Sequence, residues 1–181
     1  MSKRTTETIT LGSGHVYYQE FTGTLPTLED ICVDDNRLGH VKGGATLAYT
    51  EETYTESDDL GMVKKIITTN EDAKLKLGLI TFNNNTLNVL IDRSVIDAAT
   101  EGKRILKIGG ANKAKNKSYV VCFHHEDAKD GDLWILLVGR NTAGLSLALA
   151  KEAGTNIEPE FTATPMDNDG TLVQIIEEID V

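Results

Sequence analysis

His124-His125 is the first place to look for chemistry, because paired imidazoles are common metal ligands. Neighbours on an extended strand point to opposite faces, however, so these two side chains cannot close on one ion. The expectation is one histidine inward and one outward. Asp167-Asn168-Asp169-Gly170 has the oxygen-rich spacing of part of a calcium loop, yet an EF-hand would need an acidic residue where Pro165 stands. A turn accounts for it better. Cys32 and Cys122 lie far apart and belong to no CxxC or Cys/His cluster, so both are read as reduced thiols. Gly12-Ser13-Gly14 and Gly43-Gly44 are too short for a phosphate-binding loop and read as bends. No GxSxG is present, and neither cysteine sits in a local catalytic signature. From these residues we expect no catalytic centre, no cofactor and no metal.

The remaining candidate is a run of charge. Residues 51–59 read EETYTESDD, with Glu51, Glu52, Glu56, Asp58 and Asp59 and no basic residue. Such a run is either a solvated loop or a contact surface for a basic patch on another molecule. Basic residues cluster elsewhere, at Lys103, Arg104 and Lys107 and at Lys113, Lys115 and Lys117. Charge segregated in this way along a chain can guide head-to-tail association of identical copies.

The elements that must carry these residues are mostly strands. Short stretches rich in Val, Ile, Thr, Tyr and Phe alternate with Gly, Asp and Asn clusters. Residues 14–21 and 41–55 read as extended; in the second, Ala45, Leu47 and Tyr49 share one face and Thr46, Ala48 and Thr50 the other. The polar stretch 51–60 ends at Gly61, and residues 62–69 form a return strand, making a long hairpin. Residues 73–82 begin with the alternation of a half-buried strand: Leu75, Leu77 and Leu79 against Lys74 and Lys76. A short helix follows, with Asn84 or Asn85 as cap and Leu87, Leu90 and Ile91 at i, i+3 and i+4. Further strands are expected at 105–108, 119–124, 133–138, 145–149, 160–164 and 172–176. Asp130-Gly131 and Asp169-Gly170 supply the positive φ of tight hairpin turns. The run LWILLV at 133–138 is apolar on both faces, which marks a strand covered on both sides. The predicted fold is mainly β: two packed antiparallel sheets, as a sandwich or barrel, with one short flanking helix and a long protruding hairpin.

Composition narrows the function class. The length fits one domain over residues 1–181, with no repeat or linker to divide it. No apolar run approaches the roughly 20 residues of a membrane helix, so no membrane insertion is expected. MSKRTTETIT lacks the hydrophobic segment of a secretory signal, which predicts folding in a cytoplasm. The net charge of −10 opposes any surface built to neutralise phosphates.

Two stretches resemble a known family. GGATLAYTEETYTESDDLGMVKKIITTNEDAKLKLGLITFNNNTL, from Gly43 to Leu87, is similar to the core of major tail tube proteins from long-tailed (siphovirus-like) phages of Gram-positive bacteria. The order of parts matches: a strand, a polar tip ending in Asp-Asp-x-Gly, a return strand, a Thr-x-Glu turn, an amphipathic strand and a helix. From Ile105 to Leu172 the resemblance continues through a Lys-Ser-Tyr strand entry, an Asp-Gly-Asp hairpin and a Gly-Arg-Asn-x-Ala-Gly turn. Residues 1–38 match less clearly. The resemblance implies a non-enzymatic virion protein whose copies close into a ring, hexameric in the family, with inner sheets forming a barrel around a lumen of DNA width. Rings stack with the help of the hairpin and mobile terminal arms. Residues 1–13 would then be the N-terminal arm and residues 50–61 the hairpin tip, with Glu51, Glu52, Tyr54, Glu56, Asp58, Asp59 and Gly61 as its self-assembly residues. The implied partners are the chain itself, a tape measure protein inside the tube, tail terminator and distal tail or baseplate proteins at its ends, and DNA that passes without specific binding. Assembly would take place in the bacterial host cytoplasm. The inner tube of a contractile injection system (myovirus, tailocin or type VI-like) shares the architecture, and a ligand-binding β-sandwich is the reading from another class.

Overall fold

The computed structural model of the chain describes residues 7, 10, 12–100, 102–149, 151 and 154–179. Most of the expected N-terminal arm, residues 1–13, lies outside the described residues. Among those described, strands dominate: β1 His15–Glu20, β2 Arg37–Ser57, β3 Lys64–Leu79, β4 Ser94–Thr100, β5 Lys103–Ile108, β6 Tyr119–His125, β7 Leu133–Asn141, β8 Glu160–Thr164 and β9 Val173–Glu177. Two short helices accompany them, α1 Leu28–Ile31 and α2 Asn84–Leu90.

Seven strands form one antiparallel sheet in the order β6-β1-β2-β3-β8-β7-β9. A further pairing of β6 with β7 joins the ends, so six strands close on themselves while β9 hangs on β7 beyond β8. Closure leaves those six strands without an end strand, and β9 remains the one that ends the sheet. β4 and β5 form a separate two-stranded ribbon. The mainly β, antiparallel class is as expected, but in place of two packed sheets there is one large sheet that closes on itself and a second sheet of only two strands.

The enclosed core follows from the alternation. Leu75, Leu77 and Leu79 of β3, Tyr119, Val121 and Phe123 of β6, Leu137 of β7 and Phe161 of β8 all point inward and are buried. The opposite faces of β6 and β7 are also covered. Val120, Cys122, Leu136 and Val138 pack there with Tyr17 and Met166, under Ile31 of α1 and the segment before it. This double cover explains why LWILLV lacks a polar side.

Several boundaries differ from the sequence-based expectation. Residues 64–79 form one continuous strand, and the expected Thr69-x-Glu71 turn is a register shift: Glu52 faces Asn70, Thr53 faces Thr68, and Thr69 is the extra residue. β8 and β9 both run antiparallel along the same edge of β7, at Val138–Asn141 and Leu133–Leu137. Asp169-Gly170 thus turns an excursion that returns to the same edge, and not a hairpin pairing β8 with β9. Gly170 has the expected positive φ, +84°. Residues 145–149 form no strand, and Leu149 is 82% exposed. Both edges of β7, the strand just before them, are already occupied. β4 and α1 were not foreseen.

The helix after β3 is present at Asn84–Leu90, one residue displaced in its cap. The Asn83 carboxamide oxygen accepts from the backbone N–H groups of Asn85 and Thr86 at 2.8 and 3.1 Å. Leu87 and Leu90 bury as the spacing requires, while Ile91 caps the C-terminus. Polar bonds then tie the small ribbon to this helix. Asn84 donates to the Arg104 carbonyl at 2.8 Å, and Ser94 Oγ donates to Ile91 O at 2.7 Å.

Candidate functional site

The feature that stands apart from the closed body is the β2–β3 hairpin. At its root Gly43 and Gly44, both with positive φ, make a second register shift between Val41 and Ala45. Opposite them Gly78 lies so close that a Cβ would meet the Lys42 carbonyl oxygen at 2.3 Å. From Ala45 to Glu52 the register is regular. Ala45, Leu47 and Tyr49 face Leu77, Leu75 and Ala73, as the alternation predicts.

Support from the body ends early. β1 pairs with β2 only at Arg37–His40, and β8 pairs with β3 only at Lys74–Lys76. Beyond these the ribbon has its two strands alone, and among the described residues no further strand pairs with either outer edge. The eight residues from Thr50 to Ser57 extend it by roughly 25 Å at about 3.3 Å per residue. A ribbon of this kind is marginal in water without further cover.

The predicted self-assembly residues all lie on this projection, and every one is exposed. They do not form one acidic tip, because residues 50–57 are paired strand and the turn itself is Asp58–Val63. Asp58 organises that turn: its carboxylate accepts from Val63 N at 2.7 Å and its carbonyl from Gly61 N at 3.0 Å. Gly61 supplies the positive φ, +68°. Asp59 is exposed in the turn. Glu56 stands opposite Lys65 and accepts from the Tyr54 hydroxyl, which holds that phenol above its ordinary range. Glu52 is opposite Asn70.

Glu51 stands directly opposite Glu71, a like-charge pair that weakens a ladder. Tyr49 relieves it in part by donating its hydroxyl to Glu51 at 2.8 Å. That hydrogen bond, with Glu71 nearby, pushes the exposed Tyr49 phenol up to about 12.

The acidic run hid a second property of the projection. Leu60, Met62 and Val63 at the turn are 81%, 80% and 70% exposed, and Ile66 and Ile67 behind them are also exposed. Ile66 pairs with Thr55 and Ile67 with Tyr54, so the return strand presents one isoleucine on each face, and both are exposed among the described residues. The signal was available as two adjacent apolar pairs, Met62-Val63 and Ile66-Ile67, because neighbours on a strand take opposite faces and cannot both be hidden on one. Fully covering one such side chain is worth about 1.5–3 kcal/mol.

At the root, between the ribbon and β9, lies an open groove of about 500 Å³ lined by Leu47, Tyr49, Glu71, Asp169, Leu172 and Ile175, among others. β9 forms its far side and ends the sheet there, with Ile175 exposed.

The other candidates resolve differently. His125 is buried and bonds through Nδ1 to the Ser13 carbonyl at 2.8 Å. His124 stacks on Trp134, with ring centroids 4.8 Å apart, and bonds through Nε2 to Asp132 at 2.9 Å. The pair diverges as expected. Asp167 accepts from the backbone N–H groups of Asp169 and Thr171 at 3.0 and 2.9 Å, and with the Thr171 hydroxyl these bonds hold its carboxyl below the usual range. Among the described residues no group of three or more His, Cys, Asp or Glu is placed to hold a metal ion.

Three of the six residues in the basic clusters are engaged within the chain. Lys107 pairs with Asp97 at 2.6 Å and Lys117 with Glu20 at 2.7 Å. Lys115 Nζ donates to Asn88 and Ser94, and burial pushes its ammonium down. Lys103 and Arg104 of β5 remain exposed.

A comparison with models of known protein families finds no match, and a comparison with curated proteins finds no significant match.

Proposed function

We propose that this chain is a self-assembling structural subunit, the major tail tube protein of a long-tailed phage, whose rings stack into the conduit for the genome. The observation that carries the reading is the β2–β3 projection. It leaves two strand edges open and exposes Leu60, Met62, Val63, Ile66 and Ile67. Open edges and uncovered apolar faces are liabilities in a solitary protein, and pairing with another copy removes both. The sequence resemblance from Gly43 to Leu87 covers this same hairpin, and the closed body supplies a rigid base for it. In this reading the hairpin binds a neighbouring subunit, and the tape measure and tail-end proteins meet the assembled tube.

The test is negative-stain microscopy and sedimentation of the purified protein across a concentration series. Monomers or labile rings at low concentration, giving way to hollow tubes when concentrated or seeded, are expected. A compact monomer at every concentration, with slowly exchanging amides from Thr50 to Gly61, would overturn the reading.

A further inference from the structure

Cys32 and Cys122 are separated by 90 residues in sequence and share no motif, yet their sulfurs lie 3.8 Å apart. Different elements bring them together. Cys32 caps the C-terminus of α1, its N–H donating to the Leu28 carbonyl at 3.0 Å. Cys122 sits in the middle of β6, opposite Tyr17 of β1 on one side and Leu136 of β7 on the other. Both thiols are free. Their surroundings are the apolar layer on the outer face of the barrel, with Ile31, Val120, Leu136 and Met166.

A buried thiol can serve as a small apolar side chain. Cys122 alone would be that. The pair is different, because Cys122 is fully buried while Cys32 is only partly so and gives the site an approach from solvent. The thiol of Cys122 and the indole N–H of Trp134 both favour the Cys32 thiolate and hold its pKa below the ordinary thiol value. Cys122 is displaced the other way, by the bond to Cys32 and by burial. Cys32 is thus fitted to react first, and Cys122 is placed by contact at 3.8 Å to meet the product.

We propose that Cys32 and Cys122 are a built modification site: the folded protein, meeting a peroxide, converts the two thiols to an intramolecular disulfide. Cys32 Sγ attacks one oxygen of the peroxide, breaking the O–O bond; hydrogen peroxide leaves as water and Cys32 becomes a sulfenic acid. Cys122 Sγ then attacks Cys32 Sγ. The S–S bond forms, the sulfenic hydroxyl departs, and the Cys122 proton completes a second water. The two thiols give up two electrons and the peroxide accepts them. The two sulfurs are already in contact at 3.8 Å, and the bond brings them to roughly 2.05 Å. The bond would staple the covering segment around α1 to β6. This site is independent of the assembly reading.

The experiment treats the folded full-length protein with hydrogen peroxide and follows intact mass, peptide maps and thermal unfolding. The expected result is loss of two hydrogens, a cross-linked pair of peptides containing Cys32 and Cys122, and full reversal by dithiothreitol. Tm should rise on oxidation by on the order of 5–10 °C. In Cys122→Ala the oxidation should stop at a sulfenic acid on Cys32 that dimedone captures. Persistent sulfenic or sulfinic acid on Cys32 in the unaltered protein, disulfides between chains, or two thiols left intact would each overturn the proposal. Because the decisive readouts come from the unaltered protein, they do not depend on the Cys122→Ala variant folding.

Discussion

At the scale of single residues, the hairpin carries a built-in electrostatic tension. Glu51 and Glu71 are direct cross-strand neighbours, and the Tyr49 hydroxyl donates to the first of them. The phenol is therefore pushed up to about 12 from an ordinary 10.0. A folded-state pKa above the unfolded value contributes stability that is fully present below about pH 10 and is lost as the pH rises from 10 towards 12. The group is exposed, so the contribution to folding is small and screened. Its titration is nonetheless readable. Ultraviolet absorbance of tyrosinate should show one phenol titrating near 12, and Glu51→Gln should bring that phenol down towards 10 with little change in Tm. An unchanged titration in Glu51→Gln would show that Glu51 is not the acceptor.

At the scale of elements, the hairpin is joined to the body by features that tolerate little change and ends in features that the body does not use. Residues beyond Glu52 and Asn70 touch none of the buried core. Replacing residues 53–69 by an Asn-Gly turn between Glu52 and Asn70 should therefore leave Tm within a few degrees of the parent. Assembly into rings or tubes should be abolished, since a projecting element contributes to an interface and not to a core it never meets. A milder variant separates apolar contact from backbone pairing. Ile66→Thr with Ile67→Thr keeps strand propensity and should raise the concentration needed for assembly at least tenfold, a cost of about 1.4 kcal/mol per interface. Sedimentation velocity across a dilution series measures this. Unchanged assembly by both variants would remove the hairpin from the interface.

At the scale of the whole molecule, the net charge of −10 and the disposition of cations bear on how a tube would treat DNA. Lys74, Lys76, Lys107 and Lys117 are paired with carboxylates of the same chain, and Lys115 is turned inward. A conduit for a polyanion must not grip it, because each cation placed on a phosphate adds affinity through counterion release. Assembled tubes should bind short double-stranded DNA weakly, with little dependence on salt. Tight binding that falls steeply with salt and maps to basic residues of the inner wall would refute a repulsive conduit even if tubes form.

What the sequence determined by itself was local. Alternation placed Leu75, Leu77 and Leu79 inward, double-sided hydrophobicity marked Leu133–Val138 as covered on both faces, and Leu87 and Leu90 defined a helix face. These hold because side-chain direction follows from a strand or helix period within a few residues. The capping signal of α1 was also present: Thr27 accepts from Asp30 N and donates to its carboxylate. A four-residue helix has no periodicity to accompany its cap, so the cap alone does not define an element. What only the tertiary structure decided was non-local. The closure of β6 on β7, the return of β9 to the edge of β7 and the meeting of Cys32 with Cys122 depend on which edges are still open when a strand arrives. No window of sequence contains that information. The return strand shows the same division, since Ile66 and Ile67 are residues that usually bury and only the fold shows them exposed.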